Sequence, residues 1–188
     1  MTEPEIFRYA VVEQALMGVH DFRERKKGAF RARLIHFQRL RIIPTSPGKG
    51  RRIAYRREDI FRWAVALEFA EFGMDPTEIK RILDTIWFRG APVLLEEREG
   101  ADRYLFFHPD FLRRLSPEDE REISEKPGVP YSITYKIISD LADLDNQAKT
   151  DQAKASNDRF RARYGVINLS RLRRQVGANL VAVSQVRA

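Results

Sequence analysis

Residues 28–44 read Gly28-Ala29-Phe30-Arg31-Ala32-Arg33-Leu34-Ile35-His36-Phe37-Gln38-Arg39-Leu40-Arg41-Ile42-Ile43-Pro44. Phe30, Leu34, Phe37, Leu40 and Ile43 recur at steps of three and four, while Arg31, Arg33, Gln38, Arg39 and Arg41 mostly fall on other sides. The spacing predicts a helix over 30–43 with one apolar face and one cationic face. Pro44 should end it, and Thr45-Ser46-Pro47-Gly48-Lys49-Gly50 cannot continue regular structure.

That cationic face belongs to a wider charge asymmetry. The chain of 188 residues has a net charge of +7. Residues 19–57 hold 13 Lys and Arg against Asp21 and Glu24, so nearly all the excess sits in one stretch, with acids slightly ahead on either side. Ordinary solvated surfaces intersperse both signs, whereas a concentrated block suits a polyanion, most simply nucleic acid, whose phosphates exchange counterions for Lys and Arg. Cysteine is absent, which excludes disulfides, thiolate zinc sites and cysteine nucleophiles. His20, His36 and His108 stand far apart, and Gly48-Lys49-Gly50 lacks the frame of a phosphate loop. The expectation is a non-enzymatic protein with no cofactor and no metal. No apolar run approaches the roughly 18 residues of a membrane span, and the start lacks a signal pattern. No membrane association and a cytoplasmic, bacterial or phage nucleoid-associated location are expected.

Outward from the central stretch, residues 5–17 read as a short helix, forming an N-terminal cap over 1–18. A second short helix is expected from Asp21 to about Lys27, with Gly28 as its break. Arg51-Arg52-Ile53-Ala54-Tyr55 reads as an extended piece that makes, with the loop before it, a small basic hairpin. A helix then opens near Arg57 or Glu58, carries Ile60, Trp63, Ala64, Leu67 and Ala70 inward, and stops at Gly73. Asp75 with Pro76 and Glu78 signals the start of the next, with Ile79, Ile82, Leu83 and Ile86 inside. Residues 93–97 and 103–107 read as two strands of a hairpin. Residues 116–130 are an acidic, Pro-rich loop, residues 131–141 fit strand or helix, and residues 145–157 read as a linker. Residues 166–169 suggest a closing strand before a short helix through Leu180. The expected fold class is α+β, with a mostly helical domain over 19–87 and a small α+β module over 88–188.

The stretch 28–44 resembles the turn and second helix of the MerR-type DNA-binding family, a winged helix-turn-helix. Two further segments carry the likeness: Tyr55 stands four residues before Asp59-Ile60, like that family's wing tyrosine, and Phe72-Gly73-Met74-Asp75 precedes Glu78-Ile79-Lys80 and Leu83. The resemblance covers about residues 19–87. Ile35 and His36-Phe37 depart from the family's Arg and Tyr pair, and Phe88-Arg89-Gly90-Ala91-Pro92 is expected to interrupt the family's long dimerisation helix.

A helix about 10–12 Å across enters the major groove of B-DNA, and Arg31 or Arg33 near its start offers a fork to guanine O6 and N7. Arg25, Lys26, Lys27, Arg39 and Arg41 suit phosphates, His36 lies near DNA, and Lys49, Arg51 and Arg52 beside Tyr55 form the basic wing. The expected function is a sequence-specific regulator of transcription that binds double-stranded DNA as a homodimer. The later module would receive a small-molecule effector or RNA polymerase. The alternative is an architectural or excisionase-like protein of recombination.

Overall fold

The computed structural model describes residues 5–22, 26–43, 53–95, 102–107, 135–138, 143, 146 and 165–186. The elements in chain order are β1 (Ile6–Arg8), α1 (Tyr9–Val19), α2 (Lys27–Arg39), β2 (Ala54–Arg56), α3 (Arg57–Glu71), α4 (Pro76–Leu95), β3 (Tyr104–Phe107), β4 (Tyr135–Ile138), β5 (Gly165–Asn168) and α5 (Leu169–Val186). The class is α+β: among the described residues these are five helices and two small antiparallel sheets. The chain divides into two units, Met1–Glu96 with Arg171–Ala188, and Glu97–Ser170.

In the first unit the apolar stripes set by the sequence meet in one core. Leu16 and Val12 of α1, Phe30, Leu34 and Phe37 of α2, Trp63, Leu67 and Phe69 of α3, and Ile79, Ile82 and Leu83 of α4 are all buried. β1 and β2 pair antiparallel, Phe7 opposite Tyr55, with these two residues inward and Ile6, Arg8, Ala54 and Arg56 outward. Tyr55 sits in an aromatic cluster, its ring centroid 6.5 Å from Tyr9 and 5.5 Å from Trp63. α3 and α4 are tied by Arg62, which bonds Asp84 and lies 5.4 Å over the Trp87 ring.

Three helices of this unit stop in the same way. α1, α2 and α3 are each followed one residue past the cap by left-handed backbone, at Asp21 (φ 49°), Arg41 (φ 56°) and Gly73 (φ 78°). Phe22, Ile42 and Met74 then donate their N–H groups back to the carbonyls of Met17, Phe37 and Phe69 at 3.0–3.3 Å. This is the Schellman closure, which satisfies carbonyls that the helix leaves without donors. α4 opens on Asp75, whose Oδ1 accepts the Thr77 N–H at 2.7 Å, with Pro76 at the first helical position.

Several expectations are corrected here. The helix expected over 5–17 is a strand followed by a helix, and α1 packs with α2 and α3 in one unit rather than standing apart as a cap. Gly28 breaks nothing, being the second residue of α2, and the turn preceding that helix lies at 20–22, with 23–25 outside the described residues. α2 ends through Arg41 rather than through Pro44. α4 runs through Gly90 and Pro92 to Leu95, so the expected interruption at 88–92 and the strand at 93–95 are absent. Pro92 lacks the backbone donor for one ladder bond, and α4 continues past it for three residues. β2 takes β1 as its partner, with residues 44–52 outside the described set.

The second unit is built on β3. It pairs antiparallel with β4 on one side and β5 on the other, Leu105 standing opposite both Ile137 and Ile167. Its expected partner at 93–97 is therefore replaced by strands far along the chain. Leu105, Phe106 and Phe107 are all buried, as a central strand requires. Of the loop expected over 116–130 nothing is described, and of the linker over 145–157 only Asn146 is, in helical conformation. The Arg103 carbonyl accepts the Leu169 N–H at 2.8 Å, and Ser170 Oγ accepts the Arg103 N–H at 2.9 Å.

Gly165 stands opposite Phe107, and a Cβ there would lie 2.2 Å from the ring's Cζ. The ring fills the space a side chain would take. Gly165→Ala should therefore push a fully buried Phe107 from its place and destabilise the sheet by about 1–3 kcal/mol, read by urea unfolding.

Candidate nucleic-acid interface

α2 has no acidic residue, and its sides divide cleanly. At 100° per residue, Phe30, Leu34 and Phe37 face the core, while Gly28, Ala29, Ala32, Ile35, His36 and Arg39 form the opposite, exposed face. Arg31 and Gln38 fall on one flank and Arg33 on the other. Each of these three flanking side chains is bonded to another element.

On the first flank the Arg31 guanidinium grips Glu13 of α1 with two parallel bonds, Nε to Oε1 and Nη2 to Oε2, both 2.8 Å. The Glu13 side chain is only 4% exposed and that of Arg31 51%. The hydrogen bonds and charge of Glu13 raise the Arg31 pKa. Further along, Gln38 Nε2 donates to the Tyr55 hydroxyl. On the other flank Arg33 Nη1 bonds Glu71 of α3 at 2.9 Å, a pair with both side chains well exposed. Such an exposed pair exchanges readily for another anion.

The expected site residues distribute as follows. Lys26 at the cap of α2, His36, Arg39 and Arg41 are exposed and, among the described residues, form no ion pair. Lys27 is half-buried. Tyr55 is buried to 1% with its hydroxyl engaged by Gln38, so it belongs to the core that supports α2 rather than to a surface. Burial, with the charge of Tyr9, pushes the Tyr55 phenol up to about 12. Arg25, Lys49, Arg51 and Arg52 lie outside the described residues. Reading residues 5–17 as one helix hid the strand that places Arg8, beside Arg56 of the basic block, on the outward face of the β1–β2 ribbon. Glu13 was missed because its partner lies 18 residues away.

Below Arg33 lies a titrating group. His20, at the cap of α1, has a side chain 5% exposed, with Nδ1 a long 3.4 Å from Glu68 Oε1. Nε2 is buried without a hydrogen-bond partner. Burial pushes the imidazole down to about 4, Arg33 adding to the lowering and Glu71 opposing it. Burial, helped by Glu71, likewise raises the Glu68 carboxyl. Among the described residues no group of three or more His, Asp or Glu stands close enough to hold a metal ion, and no helix is long and apolar enough to cross a membrane.

No family model matches the chain, and no curated protein matches its sequence.

The His20 shift fixes a pH dependence. An unfolded histidine takes up its proton near 6.5 and this folded one near 4, so the unfolded state binds more protons in between. Stability is full above about pH 6.5 and is lost as pH falls toward 4, by at most about 3 kcal/mol. His20→Gln should lose correspondingly less stability than the parent between pH 7 and 4.5 in urea unfolding at each pH. The opposing contribution of Glu68 is common to both proteins.

Proposed function

We propose that the protein is a sequence-specific transcriptional regulator that binds double-stranded DNA through a MerR-like winged helix-turn-helix, with α2 in the major groove and the basic stretch of sequence 44–52 supplying the wing. One observation carries this reading: an acid-free helix presents an exposed face that ends on Arg39, with Lys26 exposed at its cap, while carboxylates and a phenol hold its flanks. Helix diameter, small residues at Gly28, Ala29 and Ala32, Arg39 on the face and the half-exposed guanidinium groups of Arg31 and Arg33 at its edges all suit a groove walled by phosphates. Arg8 and Arg56 add exposed cations on the outward face of the ribbon whose inward Tyr55 meets Gln38. In this reading the protein works as a homodimer, and the second unit takes a small-molecule effector or RNA polymerase.

The test is selection of bound duplexes from a random pool at two salt concentrations, followed by sequencing. An enriched motif supports the regulator, and an inverted repeat supports the dimer. Uniform, steeply salt-dependent binding with no motif overturns sequence-specific regulation in favour of an architectural role. On a selected duplex, Lys26→Ala and Arg39→Ala should each weaken binding to all sequences alike and reduce the slope of log K against log salt by about one. Tyr55→Phe should cost about 1 kcal/mol of stability through the lost hydroxyl bond and leave that slope unchanged.

A further inference from the structure

We infer that Glu13 is a positioning residue for base recognition: by holding the inner edge of the Arg31 guanidinium it presents the outer edge as a two-donor fork for a guanine. This rests on the DNA-binding reading above and adds to it the base that is read and the residue that makes the reading possible. A guanidinium carries five N–H groups in one plane. The Nε hydrogen and one hydrogen of Nη2 are taken by the two oxygens of Glu13, each at 2.8 Å. What remains is the end of the group, where one hydrogen on Nη1 and the second on Nη2 run parallel. That is the spacing at which guanine O6 and N7 accept a bidentate pair.

The burial of the two partners sets the direction. Glu13 is 4% exposed and Arg31 51%, so the carboxylate lies inside the protein and the guanidinium at its boundary. Among the described residues nothing bonds the Nη1 edge. On α2 its neighbours one turn away on the exposed side are Gly28, which has no side chain, and Ile35, which is 36% exposed. An arginine free in solvent loses much of its rotamer freedom on engaging a base, whereas one held by a buried carboxylate has already lost it. Arg33, with one bond to an exposed Glu71, lacks this preorganisation and suits a phosphate.

The experiment uses the full chain, the duplex selected from the random pool, and that duplex with each base pair changed in turn. Arg31→Lys keeps the charge but loses the fork, and should lower the preference for guanine at one position by about tenfold. Glu13→Gln can accept at most one of the two bonds, and should weaken the same preference several-fold while leaving the salt slope and the other positions unchanged. Combining Glu13→Gln with Arg31→Ala should add nothing at that position to Arg31→Ala alone. A tie that is only structural would instead lower the melting temperature and weaken binding at all positions alike. A parent chain that selects no motif overturns the DNA reading and this inference together. A motif whose guanine preference survives Arg31→Lys, or survives a folded Glu13→Gln, overturns this inference alone.

Discussion

A helix can offer one face to a partner only if it is kept from rolling about its own axis, and α2 is kept from rolling by polar bonds on both flanks. The apolar stripe of Phe30, Leu34 and Phe37 supplies most of the adhesion, but hydrophobic contact is non-directional and resists lifting more than rotation. Direction comes from Arg31 on Glu13, Gln38 on Tyr55 and Arg33 on Glu71, which reach α1, β2 and α3 respectively. The first matters most. A carboxylate at 4% exposure is tolerable because two charge-assisted bonds meet it. The relative placement of α1 and α2 is therefore fixed by a pair of residues as well as by packing.

The same arrangement sorts the charges of the first unit. Acids are spent on the flanks and between helices: Glu13 and Glu71 beside α2, Asp84 between Arg62 and Lys80, Glu5 on Arg57. None is placed on the outward face of α2. The outward face of α2 is thus free of acids and carries Arg39, while the carboxylates that meet Arg31 and Arg33 come from other elements and stop at its edges.

The elements readable in the sequence are those whose signals are local. α3 and α4 announce themselves by long apolar stripes, by Gly73 at a left-handed position and by Asp75 at a cap, and each signal involves residues within a turn or two. The apolar side of α2 was readable for the same reason. β1 was not: three residues with one inward side chain, Phe7, carry too little alternation to separate them from the helix that begins at Tyr9, and the partner strand lies near Tyr55. The partners of β3 escaped for a related reason, since an alternating run advertises a strand without naming its neighbours. At the candidate site, exposure of Arg39 followed from helical periodicity. The capture of Arg31 by Glu13 and the burial of Tyr55 depend on tertiary placement that no spacing encodes.

The first unit is assembled from two pieces of chain, Met1–Glu96 and Arg171–Ala188, with all of the second unit between them in sequence. Its last helix comes close enough to α1 that a side chain at Gly18 would collide with Asn179. During synthesis α1 through α4 leave the ribosome well before the helix that completes their unit, so a nascent chain must wait with that side of α1 uncovered. A cut in the polypeptide within residues 97–170 would leave the two pieces of the first unit joined by non-covalent contacts alone. Such nicked material would behave as a complex of fragments, whose integrity depends on dilution in a way that an intact chain's does not.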